Sequence, residues 1–128
     1  MSSFDPMAAA IDWLDAYRSA SLSIVDMYHP DASLECGCIG QTTLIGKQAL
    51  LEYWRHRFSK RPAGDLRKLS ANNDQVFLSY LIPGSKVQAI LNFNAEGQIV
   101  RSECRPVIGL QRRYDKSLRR RCKRRLTW

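Results

Sequence analysis

The chain has no uninterrupted apolar run near the roughly 18 residues a membrane-spanning helix needs, and its N-terminus lacks a basic segment followed by an apolar one. The expectation is a soluble, cytoplasmic protein with no transmembrane segment. Phosphate-binding loops and dinucleotide fingerprints are missing too, so no nucleotide cofactor is expected. Histidine is scarce: His29 and His56 are the only two, and neither has a carboxylate at a distinctive spacing, which leaves a histidine relay unsupported. Four cysteines, Cys36, Cys38, Cys104 and Cys122, offer no second pair at a zinc-site spacing. With no leader sequence and enough apolar residues for a core, they are expected to be thiols rather than disulfides, and no metal site is expected.

What is present fits one core. At 128 residues and 45% hydrophobic content a second independent core would leave both halves marginal. The net charge of +8 is unevenly placed, since residues 1–110 hold 11 Lys/Arg and 11 Asp/Glu while 111–128 hold 9 and 1. The reading is therefore a domain over 1–110 and a basic tail over 111–128. In the tail Tyr114, Leu118, Cys122 and Leu126 recur every four residues amid arginine and lysine. That is the pattern of a basic amphipathic helix able to make weak, salt-sensitive contact with nucleic acid or another anionic surface. A solvated extension is the alternative.

Along the domain, Asp5-Pro6 predicts a helix start, because Asp accepts from the first N–H groups and Pro has none to lose. Met7, Ala10, Ile11, Leu14 and Tyr17 form the apolar stripe of a helix to about Ala20, bordered by Trp13. Ser21 caps a second short helix that His29-Pro30 ends, with His29 as a simple cap. A strand over Ala32–Cys38 turns Leu34, Cys36 and Cys38 to one face and Ser33 and Glu35 to the other, with a bulge or kink at Gly37. Glu35 therefore points to the outer face and a surface salt bridge. Thr42–Ile45 is a short strand, and Gly46 introduces a third helix with Leu50, Leu51, Trp54 and Phe58 buried and His56 facing solvent.

Four further strands, Leu66–Ala71, Val76–Ile82, Val87–Phe93 and Gln98–Arg105, are separated by Asn72-Asn73-Asp74, Pro83-Gly84-Ser85 and Asn94-Ala95-Glu96-Gly97, which predicts an antiparallel meander. Val76–Ile82 is apolar on both sides. A second apolar face calls for another covering layer, most simply a two-fold partner, so a homodimer is expected.

Three phrases carry a family resemblance. They are Ala16-Tyr17-Arg18 with Leu22 to Tyr28 and Pro30 to Glu35, Gly46 to Leu50 with Tyr53-Trp54, and Phe93-Asn94-Ala95-Glu96-Gly97-Gln98-Ile99-Val100. In this order the chain resembles the nuclear transport factor 2 superfamily, which includes ketosteroid isomerases and SnoaL-like polyketide cyclases, over roughly residues 8–106. The resemblance implies an α+β fold: a cone-shaped, curved antiparallel sheet wrapped around three N-terminal helices, with an apolar cavity between them.

The resemblance also implies which positions would be catalytic. The isomerase's general base falls on Cys36, its oxyanion-hole tyrosine on Trp13, a supporting tyrosine on Trp54 and its protonated aspartate on Ala89. That chemistry needs a carboxylate to carry the proton and two O–H donors to hold the enolate, so steroid isomerisation by this route is not expected. Cys36 is the one weak catalytic candidate, as a nucleophile or redox group if a cation lies beside it, against the plainer reading of a small hydrophobe. Trp13, Tyr17, Trp54, Phe58, Tyr80 and Phe93, with Cys36 and Ala89, are the candidate lining for a small hydrophobic molecule. The expectation is a ligand binder. The alternatives are a cofactor-independent isomerase, cyclase or dehydratase using other pocket residues, and an adaptor acting through the basic tail.

Overall fold

The computed structural model describes residues 4–37 and 42–107. Helix α1, Pro6–Arg18, begins where Asp5 accepts from the N–H groups of Met7 at 3.0 Å and Ala8 at 3.4 Å. Ser21 then caps a 3-10 helix over Leu22–Met27. Strand β1 runs Tyr28–Cys36, β2 Thr42–Ile45, helix α2 Lys47–Lys60, and β3 to β6 follow as Leu66–Asn72, Gln75–Ile82, Ser85–Phe93 and Ile99–Pro106. Among the described residues no helix is long and apolar enough to cross a membrane.

The six strands form one sheet in the order β2-β1-β6-β5-β4-β3. Its pairs are antiparallel apart from β1 with β6, which run parallel because the crossover through α2 lets the meander return beside β1 in the same direction. Register shifts between Tyr28 and Ser33, between Leu66 and Lys68, and between Asn92 and Phe93 each bend a strand, and together they curl the sheet. Helix α1 lies against β3 and β4, and α2 against β1 and β2, so the helices cover the concave face. This is the expected α+β cone.

Several local expectations shift. The second short helix is a 3-10 helix, so the helical layer is two α-helices and one 3-10 helix, with α2 placed between β2 and β3. Strand β1 begins at Tyr28 and passes through Pro30. Proline is tolerated there because it sits inside the register shift, where no ladder N–H is required. The register shift falls at that point, while Gly37 is a bend just past the end of β1. His29 is consequently a strand residue rather than a helix cap, its Nδ1 accepting from the N–H of Asp31 at 3.0 Å.

The buried side of α1 is rotated from the expected stripe: Ala10, Trp13, Leu14 and Tyr17 are inside, while Met7 and Ile11 are 37% and 40% exposed. The large ring of Trp13 takes the central position against the sheet. Cys38 and the tail over 111–128 lie outside the described residues.

The inner faces of β4 and β5 supply Val76, Leu78, Tyr80, Ile82, Val87, Ala89, Leu91 and Phe93 to the core, alternating with outer residues as a pleated strand requires. On the outer face Glu35 is paired with Arg101 at 2.8 Å, as expected, and Arg101 also meets Glu103 at 2.9 Å.

Candidate functional site

At one level of the sheet four neighbouring strands present Leu78, Ala89, Cys104 and Cys36 in direct register. Three of these four side chains are small. The space they leave under the helices is filled from α2 by Arg57, whose guanidinium is drawn into the core and only 3% exposed. Its Nε donates to the Tyr17 hydroxyl at 2.7 Å, one terminal nitrogen lies 3.0 Å from Cys104 Sγ, and the other lies 4.0 Å from Cys36 Sγ. The guanidinium also stands 5.9 Å from the ring centres of Tyr17 and Tyr53. Among the described residues no carboxylate forms a salt bridge with it.

Burial works against the charge on Arg57. The Cys104 sulfur and the phenols of Tyr53, Tyr80 and Tyr17 outweigh it and hold the group well above its ordinary value, so the site keeps a fixed cation. Burial pushes the Tyr17 phenol up to about 12 although Arg57 opposes the shift. The Tyr80 phenol is raised well above its usual value, first by burial and then by Cys104.

A second polar group lies on the same inner surface. Trp13 Nε1 donates to the Tyr28 hydroxyl at 3.2 Å, and that hydroxyl shares a hydrogen bond with Ser102 Oγ at 3.0 Å. Burial lifts Tyr28 to about 12 against these bonds. The Trp54 indole N–H is buried and has no hydrogen-bond partner of ordinary geometry, although it is near enough to Tyr28 to influence that phenol.

Of the residues expected to line a site, Trp13, Tyr17, Trp54 and Tyr80 meet edge to face at 5.0 to 6.1 Å, and Phe58, half-buried, joins them 6.2 Å from Tyr17. Cys36 and Ala89 flank Cys104 in the sheet. Phe93 sits apart, meeting Phe4 edge to face at 5.2 Å. His56 is exposed, as expected.

Arg57, Cys104, Tyr28 and Ser102 were not among the candidates. Arg57 had a signal, since it stands three residues after Trp54 and seven after Leu50 and so shares their helix face. Cys36 and Cys104 also line an open pocket of about 340 Å³ at the ends of β1 and β6, bounded by Glu35, Gly37, Glu103 and Arg105. Both cysteines thus border the pocket while their sulfurs face the buried cation.

No protein-family model and no curated protein sequence matches the chain. Solved structures do. A SnoaL-like protein of unknown function from Burkholderia thailandensis superimposes with a TM-score of 0.70 at 18% identity, over 80% of this chain and 93% of that one. A de novo designed protein with a curved β-sheet gives 0.69 at 16% identity, over 91% and 96%. The fold is therefore the SnoaL-like, nuclear transport factor 2-like cone.

Proposed function

We propose that the chain binds a small, mainly hydrophobic molecule carrying one acidic or carbonyl oxygen, with its apolar part against the aromatic cluster and its oxygen held by Arg57. The observation that carries this reading is Arg57, only 3% exposed, with a phenol and two sulfurs around it and no carboxylate ion-paired with it among the described residues. A buried cation lacking an anionic partner costs several kcal/mol, and a ligand oxygen would offset part of that cost. The Trp54 N–H, beside the Tyr28 hydroxyl, adds a second buried donor inside the same cone.

The convergence of Tyr17, Cys36 and Cys104 on Arg57 favours a second reading: a cofactor-independent isomerase, cyclase or dehydratase in which Arg57 stabilises a developing enolate oxygen. Both readings are tested by titrating aryl carboxylates, and the matching neutral amides, against the fluorescence of Trp13 and Trp54. Carboxylates should bind at least about tenfold more tightly than amides, a gap of about 1.4 kcal/mol, and R57M should abolish the difference. Equal binding of the two series would overturn the assignment. Deuterium exchange at the carbon next to the bound carbonyl, followed by NMR, separates the enzyme, which catalyses it, from the binder, which does not.

For the assembly we propose a two-fold dimer through the outer sheet face, supported by Phe77 and Leu81, half-buried apolar residues on the outward side of β4. Sedimentation velocity tests this: F77K should halve the mass. A wild-type chain that sediments as a monomer would exclude the dimer.

A further inference from the structure

Cys36 and Cys104 are direct register partners on the parallel strands β1 and β6, with both side chains on the concave face. Both are thiols. Neighbouring strands lie about 4.8 Å apart, within the roughly 4.4–6.8 Å between Cα atoms that a disulfide spans, so closing a bond requires side-chain rotation rather than movement of the sheet. Two further observations make the pair more than two small core residues. Both line the pocket of about 340 Å³ that opens at the strand ends, ample for a molecule little larger than water. Both also face the Arg57 guanidinium, at 3.0 Å for Cys104 and 4.0 Å for Cys36. A thiol is oxidised through its thiolate, and a neighbouring cation is what favours that form.

We propose that Cys104 and Cys36 are a peroxide-oxidisable pair, in which Cys104 beside Arg57 attacks first and Cys36 closes a cross-strand disulfide between β6 and β1. In the first step the Cys104 sulfur attacks one peroxide oxygen. The S–O bond forms as the O–O bond breaks, the departing hydroxide takes the thiol proton as water, and a sulfenic acid remains. In the second step Cys36 attacks that sulfur, the S–S bond forms, the S–O bond breaks, and a second water leaves with the Cys36 proton. Two thiols lose two electrons in total and hydrogen peroxide gains them. The proposal is independent of any small-molecule ligand. Its structural consequence is the removal of both sulfur partners from Arg57, which would leave the phenols of Tyr17 and Tyr80 beside it.

The test uses the full chain, reduced and then exposed to hydrogen peroxide, with cysteines alkylated before digestion and mass spectrometry. A dithiothreitol-reversible peptide joining Cys36 to Cys104, with Cys38 and Cys122 alkylated, is the expected result. C36S should stop the reaction at a sulfenic acid on Cys104 that dimedone captures, and R57M should slow disulfide formation about tenfold. Linkage of Cys104 to Cys38 or Cys122 would overturn the proposal, as would full alkylation of Cys36 and Cys104 after peroxide. If a variant does not fold, the wild-type peptide map alone decides.

Discussion

Arg57 on α2 donates from Nε to the Tyr17 hydroxyl on α1 at 2.7 Å, and that hydroxyl donates in turn to the main-chain carbonyl of Arg61 just past the end of α2. One phenol therefore satisfies a buried cation and a carbonyl at a helix terminus, where carbonyls have no partner within the helix. It ties the two long helices together above the sheet.

Y17F should remove both bonds while keeping the ring and its edge-to-face contacts. The Arg61 carbonyl and one Arg57 N–H would be left buried and unsatisfied, at about 1–3 kcal/mol. Urea unfolding should show a lower midpoint with an unchanged slope. A midpoint equal to wild type would mean that water replaces the hydroxyl.

The buried charge separates two substitutions at one position. R57M keeps the volume of the side chain and removes the cation, so stability should hold or rise, as it does when buried ions give way to apolar groups of similar size. R57A leaves a hole under Trp54 and Tyr53 and should cost about 2–5 kcal/mol. Both variants should lose carboxylate binding. A large loss of stability in R57M would show that the cation serves the fold rather than a ligand.

Tyr17 and Tyr28 share the alkaline limit of the fold with Tyr53 and Tyr80, whose phenols burial also holds well above the usual value. Tyr17 and Tyr28 each have a folded pKa of about 12 against 10.0 in the reference state, with burial as the first cause. A raised phenol contributes stability that is whole below pH 10 and is lost as pH climbs toward about 12, because the unfolded chain gives up its proton first. The slope should reach about 1.4 kcal/mol per pH unit for each phenol. Urea midpoints measured from about pH 9 to about pH 11 should fall, and Y28F should flatten the decline.

Most of the frame could be read from residue order. Thr42–Ile45 has the bounds expected, and the turns at Asn72-Asn73-Asp74 and Pro83-Gly84-Ser85 separate strands close to their expected limits, because local alternation and turn chemistry determine these elements. The parallel pairing of β1 with β6 was hidden, since it joins residues such as Cys36 and Cys104 that are distant in sequence. Cys36 was recognisable as a candidate, whereas the cation beside it carried only the weaker signal of its spacing from Leu50 and Trp54. Arg57 sits among Arg55, His56 and Phe58 in a segment that reads as a solvated face, and only the small side chains of Ala89, Cys104 and Cys36 across the sheet make room for it. Hydropathy patterns assign an arginine to the surface unless its partners are known.

Two glycines with positive φ should respond to alanine for different reasons. Gly46, at φ 96 and ψ 159, has nothing within 4 Å of where a Cβ would stand, so G46A bears only the cost of a backbone region that glycine alone adopts readily, about 1–3 kcal/mol. Gly97, at φ +83, bears a positive-φ cost and would also place a Cβ 2.9 Å from the Phe4 ring, which meets Phe93 edge to face. G97A should therefore lower the thermal midpoint by more than its dihedral cost alone. The excess should disappear when F4A is the background, because the clash is then gone and only the dihedral cost remains. Equal losses for G97A in both backgrounds would mean that Phe4 swings aside freely and does not hold α1 against the β5–β6 turn.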